Sequence, residues 1–429
     1  MIVGLPAPAI KGFGNRLPYD FAMARRIIDA AVIAVGVVVG ADGNNAQELA
    51  RGVVVDRIAC LAEPSQTYAL YLPSTYSPDR GWSLLIGFHP AANGRAIVEK
   101  YRAAAEQYGY IVAASNNSRN GPMSVSATSV EAMSRDLGQR FAIDASRVYA
   151  TGHSGGARVA MLVGLSGNNL AGVIASSAGF PDSQPRAAVS FAVFGTAGTE
   201  DFNYIEMRLL DKKLTSPHRL AIFKGGHTLP PDEVALDAIE WLELQAMKSN
   251  RRERDEAFVD RLLEKRRKLV ESAAPTEVIH QLTAIVADFT GLRDVSAEST
   301  RAATLSKQPE IKKALARERD SDDSEMRMLV EVFDLEGVLR PGAGGEGRSE
   351  ALARLRDRLS RLFKTANSAA DSPERSRARR VLRNITSGAA GRVQDPEYLK
   401  LLEQYRRPLN GPSAISHRAL EQAPTPRGR

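Results

Sequence analysis

The chain has 429 residues, of which 43% are hydrophobic and 25% are charged, so a sizeable core can be buried. This length allows two or three domains. The single cysteine excludes an internal disulfide and a zinc site built on paired thiols. We interpret Cys60 as a small buried hydrophobic residue.

The formal net charge of +7 is concentrated at the C-terminal end. Residues 1–250 are close to neutral, residues 251–350 carry −3 and residues 351–429 carry +10. The basicity therefore describes the end of the chain and says little about partners of the rest.

The N-terminal 46 residues contain Arg25 and Arg26 followed by an apolar run over residues 30–40. A membrane-spanning helix needs about 20 apolar residues, so this run is too short to span, and it fits the apolar stretch of a signal peptide. We predict that residues 1–46 are a signal peptide or an uncleaved membrane-proximal anchor, and that the protein is periplasmic or extracellular. Asp29 opposes insertion, and a buried first helix or strand in a cytoplasmic protein is the alternative.

Residues 47–248 are predicted to form one α/β unit. Short apolar runs bounded by Gly, Pro and Asn are typical of strands buried on both faces of a sheet, and helix-like segments separate several of them. This alternation predicts a doubly wound, mostly parallel sheet. The predicted strands are 67–73, 83–90, 110–115, 147–152, 172–177, 189–196 and 219–225, and the predicted helices are 95–108, 125–140, 155–165, 204–213 and 232–248.

Residues 249–407 are predicted to be all-helical. Leu352, Leu355, Leu359 and Leu362 are spaced as on one face of an α-helix. The glycine-rich stretch 340–349 is predicted to be a linker, and residues 408–429 a disordered tail.

The sequence GHSGG, residues 152–156, lies between a strand-like run and a helix-like run. Gly152, Ser154 and Gly156 match G-x-S-x-G, in which a sharp strand-to-helix turn exposes a serine hydroxyl at the edge of the sheet. The following helix places free N–H groups and a positive dipole end beside Ser154. The pattern predicts that Ser154 is a nucleophile.

A serine nucleophile needs a base and a carboxylate that orients this base. In this type of fold the acid and then the histidine follow later strands. Asp201 or Glu200 follows the strand over 189–196, and His227 follows the strand over 219–225. We prefer Asp201 because its shorter side chain is the more common orienting group, and we take a solvent-contacting loop histidine as the alternative for His227.

An oxyanion hole usually pairs the N–H after the nucleophile with one from the loop after an early strand. The first is predicted to be that of Gly155. Because Pro90 lacks an N–H, Ala91 is the predicted second donor and Ala92 the alternative. His89 is expected to brace this loop and is also a candidate for the substrate pocket.

Other polar residues are candidates for the substrate pocket. His153 is expected to pack beneath the turn, and is also a pocket candidate. For SNNSRNGP, residues 115–122, either the polar side chains bind neighbouring loops, or they line the pocket. In the second case Ser118, Arg119 and Asn120 line the pocket, where Arg119 would favour an anionic substrate. Asn117 is also a pocket candidate.

These segments together resemble the α/β-hydrolase superfamily, in particular small secreted esterases of the polyhydroxybutyrate depolymerase and feruloyl esterase type. The resemblance covers about 200 residues and is carried by SLLIGFHPAANG, IVAASNNSRNGP, FAIDASRVYATGHSGGARVA, FGTAGTEDFNY and FKGGHTLPPDEVALDAIEWL. It implies hydrolysis of carboxylic esters through an acyl-enzyme. The chain has His-Pro-Ala where these esterases usually have His-Gly, and His-Thr-Leu-Pro where a Trp usually precedes the Pro.

Several other functions remain open at this point. The same three residues could cleave amides as a serine peptidase, or the chain could be a non-catalytic binding protein with a basic helical interaction region. The cluster RSRARR, residues 375–380, could contact anionic membrane or cell-wall polymer, but a solvated basic helix face is preferred and no specific nucleic-acid motif is present. The sequence has no dinucleotide, phosphate-loop or metal-ligand motif, so we expect no cofactor and no metal. The expected partner is a small or surface-displayed ester.

Overall fold

The computed structural model describes residues 49–406, except 168, 183–185, 341–345 and 369–370. The predicted signal segment and the predicted disordered tail lie outside the described residues. So does the centre of the predicted linker.

Eight strands form a sheet in the order β1-β2-β4-β3-β5-β6-β7-β8. β2 pairs antiparallel with both β1 and β4, and all other neighbours are parallel. The strands are β1 Val54–Ala59, β2 Thr67–Tyr71, β3 Trp82–Phe88, β4 Tyr110–Ser115, β5 Ile143–His153, β6 Gly172–Ser176, β7 Ala192–Gly198 and β8 His218–Phe223.

Helices flank this sheet and make up the described chain beyond it. Those that belong to the α/β unit are α1 Gly94–Tyr108, α2 Met123–Arg140, α3 Gly155–Leu165, α4 Tyr204–Lys213 and α5 Asp232–Lys248. Those that follow are α6 Glu256–Ser272, α7 Pro275–Phe289, α8 Ser296–Leu305, α9 Pro309–Val338, α10 Arg348–Ala366, α11 Pro373–Gly388 and α12 Pro396–Glu403.

The sheet is covered on both faces, which confirms the predicted doubly wound, mostly parallel α/β architecture. Apolar residues of α1 and α5 pack on one face, and those of α2, α3 and α4 pack on the other. Every residue of β3, β4, β6 and β7 is buried, as expected for strands between two helical layers. β2 is equally buried although it runs antiparallel. β1 was not predicted, because its residues are mostly exposed or half-buried.

The described residues after α5 form helices and no strand, which confirms the predicted all-α region. The leucines of α10, from Leu352 to Leu362, lie in an apolar cluster with α9, α11 and α12. Buried charges join this region to the sheet. Arg219 of β8 donates to Asp288 of α7 at 2.6 Å, and the same carboxylate accepts from Trp241 of α5 at 2.7 Å.

The basic cluster at residues 375–380 is not the solvated helix face that the sequence favoured. Arg375, Arg379 and Arg380 are 9%, 1% and 7% exposed, respectively. Arg380 pairs with the buried Glu325 of α9, and Arg379 pairs with Glu200 at 2.7 Å. The carboxylate partners of these arginines are distant in sequence, so no local pattern reveals that the cluster is buried.

None of the helices in the described ranges has the length and hydropathy of a membrane span.

Cys60 is buried at 2% exposure, and burial raises its pKa to about 12, with the charge of Asp136 adding to the effect. The native thiol is therefore protonated at pH 8, where only the thiolate reacts. We expect the native protein to react slowly with a thiol-specific disulfide reagent. The urea-unfolded chain should react at once and release one equivalent of the reagent's thiolate. A fast stoichiometric reaction of the native protein would contradict the described environment of Cys60.

Candidate active site

Ser154 lies in a sharp turn between β5 and α3. Its backbone has φ 54° and ψ −120°, a conformation that non-glycine residues rarely adopt. The Ser154 N–H donates to the carbonyl oxygen of Ser176, at the end of the neighbouring strand β6, at 2.8 Å. Such strain costs about 1–3 kcal/mol and persists only where surrounding contacts enforce it.

Close packing around the turn explains the glycines that flank Ser154. A Cβ atom at Gly156 would lie 2.1 Å from the carbonyl oxygen of Phe88, at the end of β3. A Cβ atom at Gly155 would lie 1.8 Å from the side-chain Oδ1 of Asn120. The start of α3 therefore lies directly against the β3 end and the loop after β4.

The structure brings Ser154, His227 and Asp201 into one hydrogen-bonded chain. His227 Nε2 lies 2.8 Å from Ser154 Oγ, and His227 Nδ1 lies 2.8 Å from Asp201 Oδ1. The side chain of Asp201 is fully buried and that of His227 is 18% exposed. With Nδ1 protonated toward the carboxylate, Nε2 is the free base that faces the serine hydroxyl.

Of the two candidate carboxylates, Asp201 is the one in contact with His227. Its Oδ1 also accepts from the N–H of Asn203 at 2.8 Å, which fixes the carboxylate within its own turn. Glu200 points the other way and pairs with Arg379. The sequence-based preference for Asp201 rested on side-chain length alone, because the directions of these adjacent residues depend on the turn after β7.

The two predicted oxyanion donors differ in the structure. The N–H of Gly155 belongs to the first turn of α3, where N–H groups have no acceptor within the helix. The N–H of Ala91 donates instead to Nδ1 of His89 at 3.1 Å, and that of Ala92 donates to the His89 carbonyl at 3.2 Å. Burial lowers the pKa of His89, so its ring is neutral near pH 7 and Nδ1 can accept.

Polar residues of the loop after β4 contact either a neighbouring loop or the turn that carries Ser154. Asn117 binds a neighbouring loop: it accepts from the N–H of Thr67 at 2.8 Å and donates to the carbonyl of Ser65 at 3.1 Å. Arg119 is exposed and donates to the Asn117 carbonyl. Asn120 is the member of this loop that reaches the nucleophile turn, through its contact at Gly155.

Two aromatic rings pack against the His227 imidazole. Phe202 stacks on it with ring centroids 3.9 Å apart and planes at 26°, and His153 lies 4.8 Å away in a tilted arrangement. His89 in turn lies 6.2 Å from His153. Sequence reasoning missed Phe202, although an aromatic residue directly after Asp201 was a visible signal.

A separate cavity of about 430 Å³ lies between the end of α5 and the turn after α7. It is lined by basic side chains that are already bound to the carbonyl groups at helix ends: Lys248 donates to Ala287 and Arg254 donates to Leu292. This cavity has no contact with Ser154. In the described part of the chain, no group of three His, Cys, Asp or Glu side chains could hold a metal ion.

No family model matches the sequence, and no curated protein sequence matches it. The structure is similar to that of a thermostable esterase, with 18% identity and a TM-score of 0.33 over 44% of this chain. It spans 62% of the length of that esterase. A feruloyl esterase module from Clostridium thermocellum has 13% identity and a TM-score of 0.36, over 44% of this chain and 85% of its own. Dipeptidyl peptidase 4 of Porphyromonas gingivalis has 13% identity and a TM-score of 0.33, over 44% of this chain and 34% of its own. The similar structures thus include esterases as well as a peptidase.

The packing at Gly156 predicts that Gly156→Ala destabilises the protein by more than about 2 kcal/mol, because its Cβ would collide with the main chain at Phe88. Urea unfolding measures the change. Gly337→Ala is the matched control: it lies in α9 with no atom within 4 Å of its Cβ position, so a small gain in stability is expected. Equal stability of the two variants would contradict the close approach of α3 to β3.

Proposed function

We propose that this protein is a serine hydrolase that cleaves carboxylic esters through an acyl-enzyme. The observation that carries the proposal is the pair of 2.8 Å hydrogen bonds that joins Ser154, His227 and Asp201 at the carboxyl edge of the sheet. A hydroxyl on a strained turn, a base within hydrogen-bond reach and a buried carboxylate behind that base are the parts that nucleophilic acyl transfer requires.

Each step of the proposed reaction uses one of these groups. Ser154 Oγ bonds to the acyl carbon while its proton passes to His227 Nε2. The tetrahedral intermediate then breaks its bond to the alcohol oxygen, which takes the proton from His227. A water molecule then attacks the acyl carbon while His227 takes its proton. The bond to Ser154 Oγ breaks, Oγ takes this proton from His227, and the carboxylic acid leaves. Asp201 stabilises the imidazolium that forms in both halves of this cycle.

The arrangement of N–H groups favours esters over amides as substrates. The N–H of Gly155 lies at the N-terminus of α3, where it and the helix dipole would stabilise the negative charge of the tetrahedral intermediate. The N–H of Ala91 is held by His89 and does not add a second donor in this state. Esters are the less demanding substrates because an alkoxide leaves more readily than an amide nitrogen.

The first test is hydrolysis of p-nitrophenyl acetate, butyrate and octanoate by the full chain, beside Ser154→Ala. We expect Ser154→Ala to lower kcat by at least about 1000-fold with unchanged folding, because the variant lacks the hydroxyl on which the acyl-enzyme forms. Labelling by a fluorophosphonate, located by peptide mass spectrometry, shows whether Ser154 is the reactive residue.

The outcomes of this test separate the candidate functions. Cleavage of peptide p-nitroanilides in preference to all three esters, with Ser154 labelled, would identify a peptidase. Absence of both turnover and labelling would reject the catalytic proposal.

The role of Asp201 is tested by Asp201→Asn, which keeps the size of the side chain and removes its charge. We expect kcat to fall by about 100- to 10,000-fold with little change in KM, because the asparagine no longer stabilises the imidazolium and favours the wrong tautomer of His227. Asp232→Asn is the control, since its side chain is 86% exposed at the start of α5. Similar kinetics for both variants would show that Asp201 has no part in the reaction.

A further inference from the structure

Helix α11 lies against the loop that carries Asp201. We define this loop, residues 199–203, as the acid loop. Arg380 donates to the carbonyl of Thr199 at 2.6 Å, and Asn384 donates to the carbonyl of Phe202 at 2.9 Å. Side chains of one helix thus hold the main chain on both sides of Asp201.

Glu200, next to Asp201, accepts hydrogen bonds from two further arginines of the same helix. Arg379 donates to its Oε1 at 2.7 Å, and Arg383 donates to its carbonyl at 3.2 Å and to its Oε2 at 3.3 Å. The donors 379, 380, 383 and 384 are paired four residues apart, so one face of α11 presents all of them. This face is complementary to the acid loop in both charge and hydrogen bonding.

The opposite side of the acid loop binds the segment that leads to His227. The N–H of Thr199 donates to the carbonyl of Phe223 at 2.8 Å, and the N–H of Glu200 donates to that of Gly225 at 2.7 Å. The carbonyl groups of the same two residues accept from the arginines of α11. The acid loop is therefore held between the histidine segment and α11.

The arginines are themselves fixed by the helical region. Arg380 pairs with Glu325 of α9, which is 1% exposed, and its guanidinium lies 4.1 Å from the ring centroid of Tyr204. Arg379 donates through Nε to the carbonyl of Ala366, at the end of α10, at 2.8 Å. Buried, multiply bonded guanidinium groups have a single orientation, so they act as rigid supports.

Helix α4, which directly follows the acid loop, is bound to the same region. Asp322 of α9 accepts from Lys212 at 2.8 Å and pairs with Arg208 at 3.2 Å. Ile205 lies in the apolar cluster of α9 to α12. The C-terminal helices thus bind both the carbonyl groups of the acid loop and the helix that follows it.

From these contacts we propose that Arg379, Arg380 and Arg383 are positioning residues that set the orientation of Asp201 toward His227. The inference rests on the proposed function for its catalytic consequence. The C-terminal helices then complete the active site of the hydrolase. A small displacement of a catalytic group is enough to lower a rate by about 100-fold, so loss of one arginine is expected to show in kcat.

The test compares Arg379→Gln and Arg383→Gln with Arg377→Gln in the full chain. Arg377 is the matched control, because it lies on the same helix and donates to Ser321 of α9 at 3.2 Å instead of the acid loop. We expect Arg383→Gln to lower kcat by about 10- to 100-fold with KM within about twofold, and Arg379→Gln to lower it at least as much. Arg377→Gln should keep the wild-type kcat, and Arg383→Lys should recover part of the loss.

Unfolding temperatures separate positioning from folding. Arg383 is 31% exposed, so its replacement disturbs folding less than replacement of Arg379, which is 1% exposed. If Arg383→Gln has a lower kcat than Arg377→Gln while the two variants unfold at the same temperature, the result supports positioning. Equal kcat in these two variants, or a loss of kcat only in variants that have lost their fold, would overturn the proposal.

A second readout does not depend on turnover. The proton shared by His227 Nδ1 and Asp201 should give a far-downfield proton NMR signal in the wild type and in Arg377→Gln, assigned by its absence in His227→Gln. We expect Arg379→Gln and Arg383→Gln to weaken or abolish this signal. If the wild type cleaves no ester, the proposed function fails, yet this signal still decides whether the arginines hold Asp201 in place. An unchanged signal in both variants, or no signal in the wild type, would contradict the inference.

Discussion

The buried main chain of the loop after β7 imposes the constraint on which the active site depends. Once helices cover this loop, its carbonyl groups need hydrogen-bond donors, because an unpaired buried carbonyl costs about as much as a lost hydrogen bond. Arg380, Arg383 and Asn384 are these donors. The same contacts that satisfy the loop also leave Asp201 one orientation, so a requirement of folding and a requirement of the proposed chemistry are met together.

Strand β6 carries none of the three reacting groups, yet it links the turns on either side of it. The carbonyl of Ser176 accepts from the Ser154 N–H, and the carbonyl of Ser177 accepts from the Asn203 side chain at 2.7 Å. The strained turn of Ser154 and the turn of Asp201 are thereby both hydrogen-bonded to the end of one buried strand. Parallel pairing from β5 to β8 then brings residues 154, 201 and 227 to a single edge.

Local signals were sufficient for much of the fold. Buried strands appear as apolar runs and G-x-S-x-G marks a turn. Both signals depend only on neighbouring residues, so the strands, and the order in which the three reacting residues follow them, could be predicted from the sequence. The direction of β2, the choice between Glu200 and Asp201, and the engagement of Ala91 by His89 depend on contacts between distant segments. No spacing within the sequence encodes them.

The charge of the C-terminal end illustrates the same limit. A surplus of arginine invites an explanation by an anionic partner, and RSRARR at residues 375–380 is its densest part. In the structure the buried arginines of this helix face carboxylates of the same chain: Glu325, and Glu200 beside Asp201. A buried guanidinium that lost such a partner would be left uncompensated, which is strongly unfavourable. The arginines and the acid loop therefore depend on each other, and the basicity of this segment reflects how the helical half is joined to the sheet.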